Sequence, residues 1–71
     1  MTADEVDFVT YCISNLSAYL KQDEAKVYCM LADAKVISGY IVPCYDVLHT
    51  FGKQYLMEDL LSFMRQKGLA V

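Results

Sequence analysis

The stretch Tyr40-Ile41-Val42-Pro43-Cys44-Tyr45-Asp46-Val47-Leu48-His49-Thr50 decides the fold class of this 71-residue chain. It contains the only proline and the only histidine, together with two of the six tyrosines. Just upstream, the β-branched pairs Val36-Ile37 and Ile41-Val42 flank Ser38-Gly39, a pattern that a short hairpin would also show. Two-residue strands with no further strand to join are barely stable, so the segment reads instead as a connector feeding a helix. Pro43 has no amide to donate and clashes with the carbonyl four residues earlier in a helix interior, but a first turn tolerates it. The spacing predicts a helix over 42–50, with Tyr40 and Ile41 as an entry turn. Gly52, placed to adopt the left-handed conformation, is its expected stop.

Three further helices follow from periodicity. Thr2 and Glu5 have capping-box spacing, and Asp4, Glu5 and Asp7 place negative charge where the helix dipole favours it. Val6, Val9, Ile13, Leu16 and Leu20 then recur at intervals of three and four. Phe8, Cys12 and Tyr19 widen that face, which predicts a central helix over 3–20 with neighbours on two sides. Asp23 is an N-cap for a second helix over 24–34, carried by Val27, Tyr28, Met30, Leu31 and Ala34. The last runs over 54–67, with Leu56, Met57, Leu60, Leu61 and Met64 as its stripe and Gly68 as its stop. Four helices with short connections make an all-α bundle, and residues 1–71 form a single domain.

Composition narrows the function. The apolar share is 56%, against roughly 45–50% in ordinary domains. Such a share predicts an exposed apolar patch, and hence a protein partner or a homo-oligomer. Nine acids against six bases give a net charge of −3, and the bases are scattered singly. Nucleic-acid binding needs clustered cations, and so does attachment to an anionic membrane surface, so neither is expected. No apolar run approaches the roughly 20 residues of a membrane span. The three cysteines have no paired spacing and the acidic N-terminus is unlike a secretory leader. Reduced, buried thiols in a cytoplasmic chain are the expectation, with neither a metal nor a cofactor.

Asp46 and Tyr45 lie three and four positions before His49, so the three can share a helix face. A His–Asp pair could orient an imidazole for general-base work. Catalysis would also need a nucleophile or substrate groove, and Thr50 points about 100° away round the helix. The structural reading is stronger: His49 sits near a helix end, and Asp46 in a first turn suits orphan amides. Among the tyrosines, Tyr40 and Tyr55 are the expected exposed anchors. Candidate interaction residues are thus Tyr40, Tyr45, Asp46, His49, Thr50 and Tyr55.

The same stretch, with Gly52, Tyr55-Leu56 and Glu58-Asp59-Leu60, resembles the signature of a small bacterial family of unknown function. The likeness is centred on Tyr45-Asp46-Val47-Leu48-His49-Thr50. It extends upstream through Phe8-Val9, Tyr11-Cys12-Ile13 and Val27-Tyr28. The resemblance implies a helical cytosolic protein. It also implies genes beside others that resemble ADP-ribosyltransferase toxins, and so an accessory or antitoxin-like role. It carries no assigned functional residue. The leading expectation is a non-enzymatic interaction module. The alternative is a small ligand-binding domain or enzyme using His49 with Asp46 and Tyr45.

Overall fold

Reciprocal hydrogen bonds between Thr2 and Glu5 start the first helix. The Thr2 amide donates to Glu5 Oε1 at 2.8 Å and the Glu5 amide to Thr2 Oγ1 at 3.2 Å. This capping box satisfies two amides that a helix start would otherwise leave unpaired. In the computed structural model, which describes residues 1–69, helix α1 runs Ala3–Leu20 and α2 Glu24–Asp33. A π-helical segment Ile37–Ile41 follows, then a single turn, α3, at Tyr45–Leu48, and α4 at Lys53–Gln66. No strand occurs among the described residues, so the fold is all-α. Ala70 and Val71, included in the single-domain reading, lie outside them.

Asp23 caps α2 as expected, accepting from the Ala25 amide at 3.2 Å. Both helices of this first hairpin end on lysines with positive φ, Lys21 at 56° and Lys35 at 59°. That conformation crowds a Cβ against the backbone and normally falls to glycine. At α1 it lets the Lys21 and Gln22 amides both reach the Ser17 carbonyl, satisfying the last turn. Gly68, at φ 86°, closes α4 in the expected way. Gly52 does not behave as expected: with φ −64° and ψ 157° it is extended, and it serves as the N-cap of α4.

The third element is where the structure corrects the sequence reading. Helix over 42–50 shrinks to α3, and the expected connector becomes the π segment. The Val42 amide bonds the Ile37 carbonyl five residues back at 3.0 Å. Pro43 then interrupts the ladder, because it has no amide and its ring would meet the Gly39 carbonyl in regular α geometry. The chain resumes with the Cys44 amide on the Tyr40 carbonyl, and α3 starts at Tyr45. A widened turn beside a proline is a recognised way for a helical path to bend.

The core lies where α1 packs against α2 and α4, and where α2 meets the π segment. Cys12, Leu16, Val27, Leu31, Leu60 and Met64 are fully enclosed. Each buried Leu or Met contributes about 1.5–3 kcal/mol relative to exposure. Val36, Ile37 and Ile41 join them, so burial accounts for those β-branched residues without any strand. Val6 and Tyr19, expected on the apolar face of α1, and Tyr28, expected in the apolar run of α2, are instead exposed. No described helix is long and apolar enough to cross a membrane.

The thiols divide. Cys12 is buried, and burial pushes its pKa up to about 12. Cys44 is half-buried, whereas Cys29 is exposed, contrary to the expectation of three buried thiols. The reason is helical phase: Val27 and Leu31 face the core, and Cys29, two positions from each, lies on the far side. A thiol reagent should modify Cys29 rapidly in the native chain and Cys12 only after denaturation, which mass spectrometry reads directly. Lys35→Gly should raise stability by about 0.5–1 kcal/mol in urea denaturation, as relief of the left-handed strain exceeds the added chain entropy.

Candidate functional site

The six candidate residues do not form one site. Tyr40, on the π segment, crosses to α4. Its ring stacks on Phe63 at 4.0 Å between centroids with 8° between planes, and its hydroxyl donates to Asp59 Oδ2 at 2.5 Å. Lys67 Nζ lies 5.6 Å from the Phe63 centroid. Tyr40 was expected as an exposed anchor; it is half-buried, and holds the irregular segment against α4. Burial, and then the hydrogen bond to the Asp59 carboxylate and that group's negative charge, push the Tyr40 pKa up to about 12.

Tyr45 and His49 belong to a second group. One helical turn separates them, and their rings stack at 4.6 Å with 7° between planes. His49 Nδ1 lies 2.7 Å from the Tyr45 carbonyl oxygen. An oxygen acceptor requires the hydrogen on Nδ1, so in the neutral ring Nε2 carries the lone pair. Tyr45 in turn meets Phe8 of α1 edge to face at 5.4 Å, and Phe8 stacks with Tyr11 at 6.3 Å. The result is a four-ring row, Tyr11–Phe8–Tyr45–His49, that ties α3 to α1 and has Tyr11 and His49, both exposed, as its ends.

The Asp46–His49 pairing that their spacing allowed does not form. Asp46 is exposed and has no hydrogen-bond or ionic partner among the described residues. Thr50 Oγ1 donates to the Val47 carbonyl at 2.6 Å rather than approaching the imidazole. Tyr55, exposed as expected, meets Phe51 edge to face at 4.6 Å. A shallow groove of about 370 Å³ lies elsewhere, lined by Tyr19, Lys53, Gln54 and Met57, and none of the six candidates lines it. No group of three or more His, Cys, Asp or Glu among the described residues could hold a metal ion.

Sequence reasoning missed Phe8, Tyr11, Asp59 and Phe63. Phe8 read as part of the widened apolar face of α1 and does pack against the core, but its place on one helix face with Asp4, Asp7 and Tyr11 was not used. Asp59 and Phe63 are one turn apart on α4, which was the available sign that both could meet one side chain. Their partner lies on another element, so the spacing alone did not name it.

Tyr40→Phe keeps the stack and removes the hydroxyl, and should cost about 1 kcal/mol near neutral pH. The folded-state pKa lies above the ordinary 10, so this stabilisation is complete below pH 10 and is lost as pH rises toward 12. Urea denaturation of both proteins should show the wild-type advantage shrinking across that window.

Comparison with curated proteins and with solved structures found no match. A family described as a protein of unknown function (DUF3791) matches residues 7–67, which takes in every candidate residue, most of α1, the π segment and all of α2, α3 and α4. This chain belongs to that family.

Proposed function

We propose that the chain is a small cytoplasmic protein–protein interaction module of bacterial origin. The observation that carries this reading is the four-ring row between α1 and α3. Aromatic side chains supply large contact areas at low entropic cost and are enriched where proteins dock. Tyr11 and His49 are exposed, and Val47 of α3, 59% exposed, adds apolar surface to the same short element. The ADP-ribosyltransferase-like protein that the family resemblance implies is the first partner to test, and an accessory or antitoxin-like role is the corresponding biological reading. A second copy of the chain is the other occupant.

The enzymatic alternative has less support. His49 is anchored to the Tyr45 carbonyl, Asp46 stands apart from it, and Thr50 is turned to a carbonyl. General-base work needs a reacting group within hydrogen-bond reach of the imidazole.

Co-expression with an ADP-ribosyltransferase-like protein encoded beside it, followed by affinity purification and light scattering, is the test. A stable complex or a defined oligomer is the expected result; a strictly monomeric chain that retains no partner refutes the reading. His49→Gln should leave the fold intact and weaken the complex by less than about tenfold, since it removes one ring of four. Loss of a turnover or of small-molecule binding with an unchanged complex would favour the enzymatic alternative.

A further inference from the structure

The aromatic row has a charge environment that the composition as a whole conceals. Asp4, Asp7, Phe8 and Tyr11 are spaced by three and four and so occupy one face of α1. Phe8 carries that face onto Tyr45, which is followed in α3 by Asp46. Asp4, Asp7 and Asp46 are all exposed and have no hydrogen-bond or ionic partner among the described residues.

Lysine and arginine are absent from the segments that build the row. Residues 1–20 and 36–52 hold four acids, Asp4, Glu5, Asp7 and Asp46, and no lysine or arginine. The other five acids and all six bases lie elsewhere in the chain. Side-chain charge is therefore −4 on the segments of the row and +1 on the rest, which together give the net −3. The charge along the sequence is thus uneven, with the helices that carry the row anionic and the remaining segments close to neutral.

We propose that this face docks an arginine-bearing segment of a protein partner, an inference that rests on the interaction-module reading and names the chemistry of its partner. A guanidinium is planar: it stacks on aromatic faces and offers paired N–H donors to a carboxylate. Rings and exposed carboxylates on the same two helices, with Asp4 and Asp7 on the Phe8–Tyr11 face of α1 and Asp46 beside Tyr45 in the sequence of α3, offer both kinds of contact. Lysine presents a compact, strongly hydrated charge that gains from the carboxylates but less from the rings. The face therefore selects arginine over lysine at equal charge, and it disfavours acidic segments.

The test is a titration of the full ¹⁵N-labelled chain with octa-arginine, octa-lysine and octa-glutamate peptides, followed by amide shifts at low and at physiological salt. Octa-arginine should shift residues around Asp4, Asp7, Phe8, Tyr11, Tyr45 and Asp46, and bind about fivefold or more tighter than octa-lysine. Octa-glutamate should shift none of them. Asp7→Asn combined with Asp46→Asn should weaken octa-arginine about tenfold, and both changes are at exposed positions. Tyr11→Leu should weaken octa-arginine and leave octa-lysine nearly unchanged. Equal affinity for the two cationic peptides, or shifts confined to α2 or α4, overturns the arginine assignment. Either result leaves the interaction reading to the co-purification experiment, whose outcome does not depend on which face is used.

Discussion

Pro43 has no amide hydrogen and cannot occupy the interior of a regular helix, and the placement of both aromatic clusters follows from that constraint. Before it, the chain widens into the π segment Ile37–Ile41, which buries Ile37 and Ile41 and carries Tyr40 across to α4. After it, a single turn of helix presents Tyr45 and His49 toward Phe8 of α1. A continuous helix through residues 36–50 would keep all these side chains on one regular spiral. The interruption lets two neighbouring stretches address two different helices.

The two clusters have different physical character. Around Tyr40 the contacts are closed: one ring lies flat on Phe63, and the hydroxyl is held by Asp59. That arrangement attaches an irregular segment to the longest of the later helices in a chain whose core is small. Around Tyr45 the contacts are open, with exposed rings at both ends and exposed carboxylates on the same two helices. A chain of this size has a limited interior, so large aromatic groups collect at its margins. Where they line up across two helices, as here, they form a surface that can be covered by something else. Membership of a family of unknown function places the same stretch inside the region that defines the family, without assigning it a role.

Much of the molecule was readable in advance because its causes are local. Thr2 with Glu5, Asp23 before α2 and Gly68 after α4 each act within a few residues, and each is where its chemistry predicted. The stacking of Tyr45 on His49 was legible as a one-turn spacing. The Tyr40–Asp59 bond and the Phe8–Tyr45 contact were not, since each joins elements brought together only by packing. Cys29 was misread because an apolar run suggests burial, whereas helical phase decides it. Gly52 was misread because glycine tolerates both a left-handed stop and an extended cap, and the start of α4 selected the second.

The three long helices α1, α2 and α4, the caps at Thr2, Asp23 and Gly68 and most of the core stripes were settled by the amino-acid sequence, because these depend on backbone geometry and on side chains within a turn or two. Packing in the folded chain decided the form of the break at Pro43, which of the tyrosines are held and which face water, and how the rings of α1 and α3 meet. Those outcomes depend on burying Val36, Ile37 and Ile41 against helices distant in the chain, a gain that exists only once the core has assembled.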